Sequence, residues 1–90
     1  MPKKKFSLDD AKRIGRILDL SWKKFDLNQF HMGLNIELEH GKRDAFTNVT
    51  DSDEILTAKI ALAHLSEFPD YYTRLHKLEK EAEAYWKKPA

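Results

Sequence analysis

Cysteine does not occur in the 90-residue chain, and glycine and proline occur only three times each. The lack of cysteine excludes disulfide bridges, thiolate metal ligands and cysteine nucleophiles. So few glycines and prolines argue against a loop-rich or all-β fold. No segment approaches the roughly 18 consecutive apolar residues of a membrane-spanning helix. We therefore expect a small soluble protein of the cytoplasm that has no membrane partner.

The sequence also lacks the common motifs of catalysis and nucleotide binding. It contains no glycine-rich phosphate loop, no His-Glu-x-x-His pair and no aspartate-rich calcium loop. None of its serines stands in the nucleophile-elbow context of the hydrolases. These absences favour a protein that is not an enzyme, and they leave no residue to assign as catalytic.

The composition is typical of one globular domain. Hydrophobic residues make up 41% of the chain, charged residues make up 34%, and the net charge is +1. We expect a single helical domain over residues 1–90, with a core from about 7 to 86 and a disordered basic tail over 1–6. The lysines of this tail, Lys3, Lys4 and Lys5, leave open an arm that binds nucleic-acid phosphates.

Two helices are predicted in the first half of the chain. Ser7 and Asp10 have the spacing of a capping box, which predicts a helix from Ser7 that ends near residues 20–22. Asp26 opens the second helix, and Gly41 is a natural stop for it. A polar connection is predicted for 41–50.

Two further helices are predicted in the second half. Asp51 and Glu54 again have capping-box spacing. The helix that follows is apolar on two faces, which is typical of a helix at the centre of a fold. Pro69 should end that helix near Glu67, because proline disfavours the helical conformation of the residue before it. The last helix carries the most regular apolar stripe of the chain: Tyr71, Leu75, Leu78, Ala82 and Tyr85. The predicted fold is an all-α, compact four-helix domain with a proline-marked break between the last two helices.

Histidines and carboxylates form the most informative pattern. Glu37 and His40 lie one turn apart on the second helix, His64 and Glu67 lie one turn apart on the third, and Asp70 follows at the break. Such pairs on two facing helices can supply the ligands of a mononuclear metal site, with zinc, manganese or iron as the candidate ions. Two other interpretations stay open. These side chains can be hydrogen-bonded structural residues, or one His–carboxylate pair can act in general acid–base catalysis.

The aromatic pair Tyr71 and Tyr72 is a further, weaker candidate. Adjacent rings can form a stacking surface for a ligand, although aromatic residues at helical spacing more often belong to a core.

The sequence resembles a family of short bacterial and phage-encoded domains of unknown function. The similarity runs from about Phe25 to Trp86 and depends on these segments: Phe30-His-Met-Gly-Leu34, Glu37-Leu-Glu-His-Gly41, Thr47-Asn-Val-Thr50, Ala61-Leu-Ala-His-Leu65 and Glu67-Phe-Pro-Asp-Tyr-Tyr72. The resemblance implies no established activity. It does imply that one recurring constellation contains Glu37, His40, His64, Glu67, Asp70 and Tyr71.

Three functions follow as hypotheses. The first is a small non-enzymatic binding or regulatory protein that uses a helical surface to contact a protein partner or a second copy of itself. The second is a metal-binding protein with the His–carboxylate site. The third is a nucleic-acid-associated accessory protein that uses the basic N-terminal end.

Overall fold

The computed structural model describes residues 5–43 and 53–87. These ranges contain four helices and no strand: α1 (Leu8–Ile17), α2 (Leu27–Arg43), α3 (Glu54–Glu67) and α4 (Tyr71–Lys87). The predicted all-α four-helix fold is confirmed. Helices α2 and α3 form the central pair, and both contact α1 and α4. Within the described ranges, no helix combines the length and apolar character needed to cross a bilayer.

Helix α1 begins as the sequence predicts. The Ser7 hydroxyl accepts a hydrogen bond from the Asp10 amide (3.0 Å), and the Asp10 carboxylate accepts one from the Ser7 amide (2.9 Å). The helix ends at Ile17, earlier than predicted, because the chain leaves the helical region. Asp19 adopts a left-handed conformation with φ of 56°, which short polar side chains such as aspartate tolerate better than most residues.

Helix α2 begins after Asp26, as predicted, and the Asp26 carboxylate accepts a hydrogen bond from the Gln29 amide (2.8 Å). The predicted stop at Gly41 is wrong, because the helix continues to Arg43. Gly41 is buried inside the helix. The glycine penalty of about 1 kcal/mol in a helix is small enough for tertiary packing to override it. The rest of the predicted 41–50 connection lies outside the described residues.

The cap of helix α3 differs from the prediction. Asp53 is the N-cap residue, and one carboxylate oxygen accepts from the Ile55 and Leu56 amides, both at 2.9 Å. The predicted cap, Asp51, lies outside the described residues. The other end agrees with the prediction. Phe68 adopts an extended conformation before Pro69, and this ends α3 at Glu67.

The N-terminal segment packs into the core one residue earlier than predicted. Phe6 is completely buried, so its assignment to a disordered tail is wrong. Asn35 of α2 accepts from the Phe6 amide (2.7 Å) and donates to its carbonyl (3.0 Å). The His31 ring donates to the same carbonyl from Nε2 (2.8 Å). Side chains of α2 therefore form hydrogen bonds with both backbone polar groups of the buried residue Phe6.

The apolar stripe of α4 packs against the core along part of its length. The residue of this helix that is fully buried is Tyr72, which is outside the predicted stripe. Tyr71 and Leu75 pack partly against the core. Leu78 is 58% exposed and Tyr85 is 65% exposed, so the C-terminal half of the stripe extends beyond the core. Local periodicity identifies an apolar face but carries no information on what covers it.

Candidate functional site

A buried carboxylate joins three helices at the centre of the molecule. Glu37 of α2 is buried among the core residues. Its Oε2 atom accepts one hydrogen bond from the Tyr72 hydroxyl of α4 (2.7 Å) and another from His64 Nδ1 of α3 (2.9 Å). Because a carboxylate has no proton to give, His64 carries its proton on Nδ1. We call Glu37, His64 and Tyr72 the central cluster.

The close approach of α2 and α4 depends on Gly33, which lies one turn before Glu37. A Cβ atom at Gly33 would lie 2.5 Å from Cε2 of Tyr72. The absence of a side chain therefore lets the Tyr72 ring cross α2 and reach the carboxylate. Leu34 and Leu38, on either side of Glu37, are buried in the core. The face of α2 that carries Glu37 therefore packs against the other helices.

The imidazole of His64 forms the outer side of the central cluster. Its ring stacks on Tyr71 with the centroids 4.5 Å apart and the planes 3° from parallel. Nδ1 of His64 is also 3.1 Å from the Tyr72 hydroxyl oxygen. The side chain is 31% exposed. Hydrogen bonding and stacking thus fix the ring in orientation while one edge remains accessible to solvent.

His40 extends this arrangement toward the C-terminal half of α4. Its Nδ1 atom is 3.9 Å from Oε1 of Glu37, and its Nε2 atom is 3.3 Å from Oε1 of Glu79. His40 therefore lies between a buried carboxylate and a half-exposed one. Glu79 is absent from the residues predicted from the sequence, because only the packing of α4 brings it to α2.

The structure brings together some of the predicted residues but not all of them. Glu37, His40 and His64 converge. Glu67 and Asp70 are exposed and form no hydrogen bond with them. Asp70 instead accepts from Nε of Arg74 (2.7 Å), and this hydrogen bond lowers the pKa of its carboxyl group.

The geometry does not suit a metal ion. Across the described parts of the chain, no group of three or more histidine and carboxylate side chains is placed to hold one. Tyr72 and His64 already occupy Oε2 of Glu37. The zinc, manganese or iron site stays a prediction from the sequence.

The two tyrosines have different environments. Burial, then the hydrogen bond to Glu37 and the negative charge of that residue, raises the pKa of Tyr72 far above its ordinary value. Burial and the charges of Glu67 and Glu37 also raise the pKa of Tyr71. Both phenols are therefore neutral near pH 7, and Tyr72 serves as a donor. Its ring is fully buried, which leaves Tyr71 as the member of the pair nearer the surface.

A second feature lies on α4 and its preceding turn. An open cavity of about 170 Å³ has an almost wholly apolar lining formed by Phe68, Tyr71, Arg74, Leu75 and Leu78. The Arg74 guanidinium lies 4.5 Å from the centre of the Phe68 ring. The apolar stripe continues from this cavity to Tyr85. We call the surface from Phe68 to Tyr85 along this stripe the α4 face.

Comparison with known proteins gives a family without a described activity. No curated protein and no solved structure matches the chain. A family model described as "Protein of unknown function (DUF5661)" matches residues 11–81, which include all four helices in whole or in large part. The resemblance to a domain of unknown function is thereby confirmed, and the chain belongs to the DUF5661 family.

Proposed function

We propose that this protein is a small non-enzymatic binding protein that uses the α4 face to bind an amphipathic helix. The observation that carries the proposal is the exposure of Leu78 and Tyr85 in a helix whose first half is packed into the core. Trp86, next to Tyr85, is 81% exposed. Contiguous apolar surface of this kind is typical of interaction sites.

The spacing of the stripe favours a helical partner. Tyr71, Leu75, Leu78, Ala82 and Tyr85 follow one another at intervals of four, three, four and three residues. This is the spacing that lets one helix pack side by side against another. An extended peptide or a flat sheet would not match such a narrow, straight row of side chains.

The charges of α4 favour a protein partner over nucleic acid or an acidic membrane. From Leu75 to Lys87, the helix carries three lysines and three glutamates, at Lys77, Lys80, Lys87, Glu79, Glu81 and Glu83. Nucleic acid and acidic membranes attract surfaces with a clear excess of positive charge. A balanced surface lacks this long-range attraction.

The central cluster supports the proposal by fixing the base of α4. Tyr72 bonds to Glu37, and His64 stacks on Tyr71. Both contacts hold the first turn of α4 against α2 and α3. A rigidly held binding surface loses less conformational entropy when a partner binds.

Selection from a displayed library of amphipathic helical peptides tests the proposal. Peptides selected on the wild-type protein should bind Leu78→Lys at least about tenfold more weakly, since a charge would replace an apolar anchor. Ile17→Lys is the matched control. Ile17 is as exposed as Leu78 (59% and 58%), but it lies on α1, away from the α4 face. Circular dichroism should show that both variants remain folded. A selection that yields no helical binder, or binders unaffected by Leu78→Lys, contradicts the proposal.

A further inference from the structure

The α4 face contains both an apolar cavity and an exposed aromatic side chain of a size that fits such a cavity. We infer that the helix bound by this face is α4 of a second copy of the chain, in antiparallel orientation. This inference rests on the proposed function and names its partner. The cavity is the one lined by Tyr71 and Leu75, and the exposed side chain is that of Tyr85.

The cavity has the size and chemistry to hold an aromatic ring. Its volume is about 170 Å³, and an apolar cavity of about 150 Å³ is known to accept benzene. Arg74 is its one charged lining residue, and the guanidinium of Arg74 already lies against Phe68 and bonds to Asp70. An aromatic side chain therefore suits the cavity better than an anionic ligand.

The stripe is spaced so that two copies fit each other. Tyr85 lies ten residues beyond Leu75, or about 15 Å along the helix axis. When two α4 helices pack antiparallel about a two-fold axis near residue 80, Tyr85 of one copy lies opposite Leu75 of the other. Each tyrosine then enters the cavity of the other copy, as an isologous interface requires.

The centre of the same arrangement is also compatible with close packing. Leu78 of one copy lies opposite Ala82 of the other, so a large side chain meets a small one. The ring of Trp86 lies 5.0 Å from that of Tyr85 and would cover the edge of the filled cavity. The balanced charge of α4 adds no net repulsion between the copies.

The interface is small, which sets the expected affinity. One exposed half of a helix and one cavity in each copy bury less than the roughly 1,200–2,000 Å² of a standard stable interface. We therefore expect a reversible dimer with a dissociation constant in the micromolar range. Sedimentation equilibrium between about 1 and 500 μM should show a monomer that converts to a dimer.

Three variants test the contacts in the full-length chain. Tyr85→Ala and Leu78→Lys should each weaken dimerisation at least about tenfold, whereas Ile17→Lys should leave it unchanged. All three positions are exposed, so the monomer should remain folded, as circular dichroism can verify. A protein that is monomeric at every concentration, or a dimer insensitive to both α4 variants, overturns the inference.

Single cysteines test the antiparallel orientation, since the natural chain has none. Glu81→Cys lies close to the two-fold axis and should form an intermolecular disulfide under mild oxidation. Lys87→Cys should not, because its two copies would lie about 20 Å apart. Lys87 also lies on the side of α4 opposite the stripe. Efficient disulfide formation at position 87, or none at position 81, would overturn the inference. If the protein is monomeric but still binds selected helical peptides through Leu78, only this inference is overturned. If it neither dimerises nor binds helical peptides, the proposed function is overturned as well.

Discussion

Glu37 shows how a charged side chain can be accommodated in the core of a small domain. It accepts two hydrogen bonds at one oxygen, and the partners come from two other helices. Burial of a carboxylate without such donors is strongly unfavourable. The central cluster therefore has a structural role that requires no ligand, and this role agrees with the hydrogen-bonded interpretation of the sequence pattern.

Replacement of Tyr72 by phenylalanine removes one of the two donors to Glu37. We expect the free energy of unfolding at pH 7 to fall by about 1.5–3 kcal/mol, because the lost hydrogen bond involves a charged, buried acceptor. Urea denaturation followed by circular dichroism measures the change. Tyr71→Phe is the control, since the Tyr71 hydroxyl forms no hydrogen bond with the described residues. Equal losses in the two variants would show that the Glu37 bond contributes no special stability.

Gly33 and Gly15 allow a matched comparison of two helical glycines. Alanine at Gly33 would place its Cβ 2.5 Å from the buried ring of Tyr72, and at Gly15 it would lie 2.6 Å from the tip of Trp22. Trp22 is partly exposed and can move, whereas Tyr72 is enclosed. We expect Gly33→Ala to destabilise the protein by about 1–3 kcal/mol despite the better helix propensity of alanine. Gly15→Ala should cost at least about 1 kcal/mol less in urea denaturation, and the reverse order would contradict this account.

At the scale of the helices, local sequence rules predicted the starts of α1 and α2 and the break at Pro69. These features depend on residues within one turn of each other. The same rules predicted that Glu37 and His40 would face His64, Glu67 and Asp70, because these residues lie near the ends of two helices. The first three converge, whereas Glu67 and Asp70 are exposed and do not join them. The rules could not predict the hydrogen bond between Tyr72 and Glu37, since 35 positions separate the two residues. The orientation of the Tyr72 side chain also depends on its packing against Gly33, which local rules do not describe. These rules also identified the apolar stripe of α4 but not how much of it is buried, because amphipathicity has the same pattern whether or not a face is covered.

The attachment of the N-terminal segment to α2 can be tested through Asn35. Asn35→Ala removes both hydrogen bonds that this side chain makes to Phe6. We expect a loss of about 1–3 kcal/mol, because the Phe6 amide loses its Asn35 acceptor and the Phe6 carbonyl loses one of its donors while it keeps His31. Hydrogen exchange of the Phe6 amide should accelerate as the segment detaches. The control is Asn28→Ala, at an exposed position of the same helix, which should change stability by less than about 0.5 kcal/mol. If the Phe6 amide stays protected in Asn35→Ala, then Asn35 does not hold the N-terminal segment against α2.

For the molecule as a whole, α2 is the element on which the other parts depend. Asn35 holds the N-terminal segment, Gly33 admits α4, and Glu37 joins α3 to α4. These three positions lie within five consecutive residues of one helix. Global unfolding should therefore be cooperative, and conditions that disturb the central cluster should lower the stability of the entire fold.

Alkaline pH is one such condition. The pKa of Tyr72 is raised in the folded state, whereas in the unfolded chain it is about 10. The stability contributed by the neutral phenol is complete below pH 10 and is lost as the pH rises further, by about 1.4 kcal/mol per unit. Between pH 8 and pH 11, the stability difference between wild type and Tyr72→Phe should therefore shrink by about that amount in urea denaturation.

The control for this pH experiment is Tyr85→Phe, because Tyr85 is exposed on α4. This variant should keep the alkaline loss of stability seen in the wild type. If Tyr72→Phe and wild type instead lose stability in parallel above pH 10, then the ionisation of Tyr72 does not contribute to alkaline unfolding.

The bonds within the central cluster also constrain how this family can evolve. Glu37, His64 and Tyr72 are hydrogen-bonded to one another, so an exchange of any one of them removes a hydrogen bond from each of the other two. A replacement of all three by apolar residues of similar volume would avoid this cost. We therefore expect the three positions to covary across DUF5661 sequences, either kept together or replaced together, with glycine at position 33 wherever the tyrosine is kept.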